Sequence, residues 1–369
     1  FHMLKGSNVN FFVDPTNHLG HFVLDGEVTF HGQCHKASEV SWLIGQGKVS
    51  NLIGKSYEVV ILGDKISFGA QANDNAVVLS VVDLGDNGTF QYNGAGLAQA
   101  ISVGENGAAD IITSGEGNKI VLTGAGSDVI TLGNGNSDIV SDNGVLDYAN
   151  QVFSADNSVS GDDIIVAGDG AHRVLAGNGS DSITLGAGNN TILSDTGEVD
   201  EASQTYTADA LGNGADIIVV ADGDNRILAG DGNDSITTGA GNNDILGDTG
   251  SLDYAAGTFL ADENGSGEDV IITGLGDQRI LGGYGADSIT TTDGDDVILS
   301  DTGSLQYSGT DLAKATSVGL NGAADIINAG EGVKIVLAGA GNDQITLGKG
   351  NSDIVSDNGV LDYADQVYT

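Results

Sequence analysis

Aliphatic residues recur every nine positions at Ile112, Val121, Ile130 and Ile139, each after a glycine-rich turn and each flanked by other β-formers. A nine-residue step is too long for a helical turn but suits a short strand plus a tight turn, repeated. The same register returns at Ile165, Val174, Ile183, Ile192; at Ile218, Ile227, Ile236, Ile245; at Ile271, Ile280, Ile289, Ile298; and at Ile327, Val336, Ile345, Ile354. The stretch 106–148 reappears almost unchanged at 321–363, with three looser copies between. Chance does not keep so many positions in step.

Two strands and two turns make a winding of 18 residues in a two-sheet spiral. The glycines of the Asp-Asn-Gly and Asp-Thr-Gly turns, Gly88, Gly144, Gly197, Gly250, Gly303 and Gly359, mark units spaced 56, 53, 53, 53 and 56 residues apart. Three windings need about 54 residues, so each unit predicts three turns of the spiral, the third irregular. That third turn carries Leu146-Asp147-Tyr148, Leu252-Asp253-Tyr254, Leu305-Gln306-Tyr307 and Leu361-Asp362-Tyr363, followed by a variable segment; Glu201 stands where the second unit should have Tyr. Its length favours keeping this segment in the spiral over letting it project as a hairpin. On that count about 17 or 18 windings from residue 51 onward, at ~4.8 Å each, predict a rod on the order of 80 Å. The chain stops in mid-array, as Tyr363-Ala-Asp-Gln-Val repeats Tyr148-Ala-Asn-Gln-Val within it, so a fragment of a longer protein is expected.

Residues 1–50 do not fit the grid and are expected to form a cap or the end of a preceding domain, with the repeat array over 51–369. Alternation such as Phe22, Leu24, Val28, Phe30 against Val23, Asp25, Glu27 predicts short strands there, and a solenoid needs its terminal core covered. From Asn51 to Gly88 the grid begins imperfectly, as first windings facing that cap. His31-Gly-Gln-Cys34-His35, with His18 and His21 nearby, matches no standard zinc spacing, and ordinary histidines are the favoured reading over a zinc cluster.

Composition narrows the function. Of 369 residues 59 are Gly and one is Pro, and only 5% are aromatic, so the core comes from aliphatic ladders. A formal net charge of −40 argues against nucleic acid or an anionic membrane as partner and makes a metal cation the natural counter-charge. High acidity and glycine content also fit disorder until cations arrive. No apolar run approaches the roughly 18 residues of a membrane span, and the one cysteine, Cys34, excludes an intramolecular disulfide framework. The start Phe1-His2-Met3 reads as a vector remnant, so the lack of a visible leader decides nothing.

Thr123-Gly-Ala-Gly-Ser-Asp-Val-Ile-Thr131, Ala229-Gly-Asp-Gly-Asn-Asp-Ser-Ile-Thr237, Gly282-Gly-Tyr-Gly-Ala-Asp-Ser-Ile-Thr290 and Ala338-Gly-Ala-Gly-Asn-Asp-Gln-Ile-Thr346 are similar to the RTX nonapeptide G-G-x-G-x-D-x-U-x, over about residues 105–363. The resemblance implies a parallel β-roll that binds Ca²⁺ between adjacent turns, usually in proteins exported unfolded by type I secretion. The expected fold is therefore all-β, a parallel β-roll (β-solenoid) of 18-residue windings with a non-repetitive N-terminal β cap.

The physical case runs alongside. Glycines at Gly124, Gly126, Gly177, Gly179, Gly230, Gly232, Gly283, Gly285, Gly339 and Gly341 let the turns adopt positive φ and aim carbonyls inward, while the neighbouring Asp supplies a carboxylate to an all-oxygen site for a hard cation. Asp110 and Asp128 are 18 apart, as are Asp163 and Asp181, Asp216 and Asp234, Asp269 and Asp287, and Asp325 and Asp343, so each pair stacks in the spiral. Stacked carboxylates repel by roughly 1 kcal/mol per pair in water, and a bridging Ca²⁺ reverses that sign. Asp142, Asp195, Asp248, Asp301 and Asp357 lie on the same edge, as members of a second site in each unit or as Asx-turns with solvated carboxylates.

The opposite edge departs from the nonapeptide. It has Lys119, His172, Asn225, Gln278 and Lys334 in its first turns and Ser137, Asn190, Asn243, Asp296 and Ser352 in its second. Lysine substitutes its own charge for a cation, and Asn can ladder through its amide, so one edge is expected to be calcified and the other mostly not. Arg173, Arg226 and Arg279 are expected to face outward as charge balance, and the row Thr131, Thr184, Thr237, Thr290, Thr346 is too sparse in the turns for ice binding. No nucleophile elbow and no zincin motif is present, so an enzyme is not expected.

The leading expectation is a Ca²⁺-dependent scaffold or stalk of a large secreted or cell-surface bacterial protein, an adhesin or toxin. The alternatives are a module that grips a glycan or protein, with Tyr148, Tyr254, Tyr307 and Tyr363 as its aromatic candidates, or the accessory domain of a secreted enzyme.

Overall fold

The computed structural model describes side chains for Gln91 and for residues 97–369 apart from 105–106, 213 and 320–322; ahead of them only the backbone of strands is otherwise described. The histidine and cysteine side chains near residue 31 lie outside the described residues, as do those of the cap and of the first windings.

Among the described residues every regular element is a strand, as the nine-residue grid requires. One sheet holds Ile111–Ser114, Val129–Leu132, Ile164–Ala167, Ser182–Leu185 and their equivalents to Gln344–Leu347, all parallel. A second parallel sheet holds Lys119–Leu122, Ser137–Val140, Arg173–Leu175, Thr191–Leu193 and their equivalents to Ser352–Val355. Between the two sheets lie the grid residues, Ile112, Val121, Ile130, Ile139, Ile165 and onward, nearly all with no exposed surface. This is the parallel β-roll. Toward the N-terminus Val9–Asp14 pairs with Lys65–Phe68 and with Leu19–Leu24, extending the first sheet.

The third segment of each unit does not stay in the roll, contrary to its length. Gly144–Asp147 and Val152–Ala155 form an antiparallel hairpin, and so do the equivalents at 197–208, 250–261 and 303–317. Neighbouring hairpins pair with one another, Val152 opposite Asp200 and Thr205 opposite Asp253, building a third, antiparallel sheet. The cause is the apolar character of the second sheet on both faces. Its inner residues Val121 and Ile139 fill the roll, but Leu122, Val140, Leu175, Leu193 and Leu228 point the other way and need a cover. Leu146, Phe153, Val199, Tyr206, Leu252 and Phe259 of the hairpins supply it, all at most 3% exposed.

The molecule is therefore three sheets thick with two cores. Because the hairpins take residues out of the winding, the roll is shorter than the 80 Å expected. Among the described residues its longest sheet has 13 strands, on the order of 60 Å at ~4.8 Å per strand.

Candidate metal centre

Each strand of the second sheet that ends a first winding returns to the first sheet through a six-residue turn, Thr123–Asp128 in the first unit. The Asp closing that turn is buried in every unit but the last: Asp128, Asp181, Asp234 and Asp287 are at most 2% exposed, and so are Asp163, Asp216, Asp269 and Asp325 at the ends of the hairpin segments. Asp110 is buried at the head of the row, and Asp343 is half-buried at its end.

These residues form one continuous ladder, where spacing alone suggested separate pairs. The Asp110 N–H donates to Asp128 Oδ1 at 2.7 Å, the Asp128 N–H to Asp163 Oδ1 at 2.7 Å, Asp163 to Asp181 at 2.8 Å and Asp181 to Asp216 at 2.8 Å. The series continues through Asp234, Asp269, Asp287 and Asp325 to Asp343. One oxygen of each carboxylate from Asp128 to Asp343 is thus held by backbone. The other, Oδ2 of Asp128, Asp163, Asp181, Asp216, Asp234, Asp269, Asp287, Asp325 and Asp343, is buried with no hydrogen-bond partner. A row of buried anionic oxygens without donors is strongly unfavourable unless a cation or a proton meets it.

Asp142, Asp195, Asp248 and Asp301 stand beside this ladder and are not solvated turn residues, being at most 4% exposed. Their Oδ2 atoms accept backbone N–H groups of Asn178, Asp231, Tyr284 and Ala340, and Oδ1 of Asp142, Asp195 and Asp248 has no partner. Glycine makes the approach possible. A Cβ on Gly177, which has φ +109°, would stand 2.5 Å from the Asp142 Cβ, and Gly230, Gly283 and Gly339 bear the same relation to Asp195, Asp248 and Asp301. A second glycine column lets successive turns touch: a Cβ on Gly179 would meet the Gly161 carbonyl oxygen at 1.8 Å, and Gly126, Gly232, Gly285 and Gly341 are similarly closed. Gly124, Gly126, Gly177, Gly179, Gly230, Gly232, Gly283 and Gly339 have positive φ. Asp357, at the open end of the array, is exposed.

Burial raises the carboxyl groups of the ladder from Asp128 to Asp343 and of Asp142, Asp195, Asp248 and Asp301, and neighbouring carboxylates raise most of these further. Desolvation first, then Asp216 and Asp163, push Asp181 up to about 10. Desolvation, then Asp163, push Asp142 to about 8, and desolvation, then Asp269 and Asp287, push Asp248 to about 10. Asp163 rises to about 7 and Asp216 to about 6, with backbone N–H donors holding them lower. Among the described residues no three His, Cys, Asp or Glu side chains already converge as a closed cage. The remaining oxygens would have to come from turn carbonyls, which the glycine contacts place against the carboxylates. An all-oxygen set of carboxylates and carbonyls fits Ca²⁺ and does not fit a thiophilic or imidazole-seeking metal.

The other edge is built differently, as its amides foretold. The His172 N–H donates to Asn190 Oδ1, Asn190 to Asn225, Asn225 to Asn243, Asn243 to Gln278 and Gln278 to Asp296, and the Asn side-chain amides donate up the same column. Each side-chain amide oxygen in the column, and Oδ1 of Asp296, thus has a backbone donor. Lys334 closes this column, with Nζ 3.2 Å from Asp296 Oδ2 and both side chains wholly buried. Lys119 does the same earlier, its Nζ donating to the Gly117 carbonyl, with burial lowering its pKa to about 8. Burial likewise lowers His172, whose Nε2 lies 2.9 Å from the Gly168 carbonyl oxygen.

The arginines do not face outward. Arg173 lies 3.7 Å from the Phe153 ring centroid and pairs with Asp138 at 2.7 Å; Arg279 pairs with Asp244 and stacks 4.7 Å from Phe259. Both bridge the second sheet to the hairpin layer. Tyr148, Tyr254 and Tyr363 each donate a hydroxyl to an Asp ten residues earlier, Asp138, Asp244 and Asp353. Where Glu201 replaces the tyrosine, Tyr206 turns its hydroxyl to Glu201 Oε2 at 2.8 Å. Sequence reasoning missed Asp138, Asp244 and Asp353, although the constant ten-residue step to tyrosine was there to find.

Set beside this geometry, a family model described as the RTX calcium-binding nonapeptide repeat (4 copies) matches residues 106–139, 158–197, 211–245, 272–304 and 321–354. No curated protein and no solved structure matches the chain. The breaks at 140–157 and 198–210 fall on hairpins.

Proposed function

Given that residues 106–354 belong to the RTX calcium-binding nonapeptide-repeat family, we propose that this segment is a folding-gated scaffold or stalk of a large extracellular bacterial adhesin or toxin, exported unfolded by type I secretion and organised by Ca²⁺ outside the cell. The supporting observation is the ladder from Asp128 to Asp343, whose Oδ2 atoms are buried without donors. In this reading Asp142, Asp195, Asp248 and Asp301 join ladder carboxylates and turn carbonyls in holding the ions, and the amide edge takes none. At low cytosolic Ca²⁺ the carboxylates repel one another and the chain stays open; at the 10⁻⁴ to 10⁻³ M affinities of extracellular modules, roughly, the ions drive folding. The segment acts as structure and not as a catalyst.

Circular dichroism tests the proposal. The β signal should develop on adding millimolar Ca²⁺ and vanish in excess chelator; an identical signal in both would refute it. The reading as a glycan module through Tyr148, Tyr254, Tyr307 and Tyr363 is disfavoured, since three of the hydroxyls are committed to aspartates of the chain and that of Tyr307 is buried.

A further inference from the structure

Arg173, Arg226 and Arg279 are the chain's only arginines, one in each of the three middle units, at equivalent places on the second sheet. Each lies opposite a residue of the preceding strand, and that residue differs. Arg173 faces Asp138 and Arg279 faces Asp244, but Arg226 faces Thr191. The first two have ion pairs across that step. Among the described residues Arg226 has none. Its Nε donates to the Tyr254 hydroxyl at 2.8 Å, Nη1 reaches Thr191 Oγ1 only at 3.4 Å, and the guanidinium is clamped between the Tyr206 and Tyr254 rings at 4.1 and 4.5 Å from their centroids. Asp244, directly opposite Arg226 on the next strand, is already engaged by Arg279 and by the same Tyr254 hydroxyl.

Where the missing aspartate would stand there is space. A cavity of about 330 Å³ opens beside Arg226, Thr191 and Tyr254, rimmed by Asn189, Asn242 and Asp224, and the Asp244–Arg279 ion pair lines its far side. Its volume is at the lower end of small-ligand pockets, roughly 300–1,000 Å³. The Oδ1 atoms of Asn189 and Asn242 are used by backbone N–H groups of Asp224 and Asp277, which leaves their NH₂ groups as donors, while Asp224 contributes an acceptor oxygen. A fixed, stacked guanidinium recognises a carboxylate in its plane. Amide donors and a carboxylate acceptor around it suit hydroxyl groups, which are both donors and acceptors.

We infer that the Arg226 cavity is a binding site for a carboxylate-bearing sugar, a uronic acid residue, whose carboxylate takes the place that Asp138 and Asp244 occupy beside the other two arginines. The site is on the amide side of the fold, apart from the aspartate ladder, and does not rest on the stalk reading.

The chain has three arginine Nε–H groups, so ¹⁵N-resolved NMR of the Ca²⁺-loaded protein can watch each separately, with Arg226→Lys identifying its signal. Titration with D-glucuronate should shift the Arg226 resonance and the Tyr254 ring most, Arg279 at the cavity wall less, and leave Arg173, which does not line the cavity, in place; methyl β-D-glucoside should bind about tenfold or more weakly. Thr191→Asp, which installs the ion pair already present in the neighbouring units and so preserves the fold, should abolish the shift while circular dichroism stays unchanged. Acetate acting as strongly as glucuronate would overturn the sugar component, and equal movement of all three arginines, or none, would overturn the site.

Discussion

Asp128 and Asp163 are 35 residues apart in the chain and one winding apart in space, the Asp128 N–H lying 2.7 Å from Asp163 Oδ1 as the Asp110 N–H lies 2.7 Å from Asp128 Oδ1 across 18 residues. The hairpin between them is an excursion from a ladder that continues underneath. Removing a rung should therefore act on both neighbouring windings. Asp181→Ala or Asp234→Ala is expected to lower the number of bound Ca²⁺ ions in equilibrium dialysis and to raise the Ca²⁺ midpoint of folding. Asn190→Ala and Asn243→Ala, on the amide edge, should lower thermal stability by about 1–3 kcal/mol through orphaned hydrogen bonds without changing the ion count. Equal ion loss on both edges would contradict the two-faced design.

Acid should partly replace calcium. The ladder carboxyls of the metal-free fold titrate from about 6 at Asp216 and Asp325 to about 10 at Asp181, against roughly 3.9 for an unfolded aspartate. A raised folded value means that the fold binds more protons than the open chain, so stability present below about pH 4 is lost as pH climbs through that window. In chelator, the β signal should grow when pH falls from about 7 to about 4.5. Ca²⁺ affinity should fall over the same interval, because protons compete for the same oxygens. A metal-free chain whose β signal is flat with pH would contradict the burial of these groups.

Gly177 is held to glycine twice over, by φ +109° and by the Asp142 side chain 2.5 Å from where a Cβ would sit. Gly177→Ala should cost about 1–3 kcal/mol from backbone strain alone and displace Asp142 as well. The Ca²⁺ titration of folding should shift to higher concentration, whereas Gly309→Ala, where nothing lies within 4 Å, should pay only the positive-φ penalty at φ +67°.

Arg279, paired with Asp244 within the second sheet, joins that sheet to the hairpin layer through Phe259 and Tyr307, the last ring 5.3 Å away. Arg279→Ala should destabilise the Ca²⁺-loaded protein by about 1–3 kcal/mol, combining a lost cation–π contact with a buried carboxylate left to the Tyr254 hydroxyl alone. Hydrogen exchange should show faster opening of residues 250–261 and 303–317, with the amides of the aspartate ladder still protected. Uniform loss of protection would mean that the two cores are not separable.

Much of this arrangement can be read from periodicity, because a solenoid repeats its physics as it repeats its residues. Ile112 to Ile354 mark the inner core, and the contrast of Asp128 with Asn190 separates the two edges before any coordinates exist. The hairpin layer was hidden by arithmetic: a unit of 53 residues is within one residue of three windings, so length could not distinguish a third turn from an excursion. The better signal was local. Lys119-Ile-Val-Leu122 has apolar residues on both faces, which a two-sheet roll would leave half exposed, and the alternation around Leu146 and Phe153 offers the matching surface. Arg173 and Arg279 were misplaced for the same reason, since their partners Phe153, Phe259 and Tyr307 sit off the nine-residue grid.

A column of nearly identical windings has a phasing problem, because any strand can settle one step too early against a neighbour that looks like its own. The antiparallel layer works as a vernier against that error. Hairpins leave the roll at every second winding, and each must mate with the next, Val152 with Asp200 and Thr205 with Asp253. A slip of one winding would bring a hairpin opposite a plain turn and leave Leu146 or Phe153 unmatched. Only a slip of a whole unit restores the mating, and that slip must also misalign His172, Asn225, Gln278 and Lys334, no adjacent two of which are alike. The coarse layer thus sets parity and the polar column sets count.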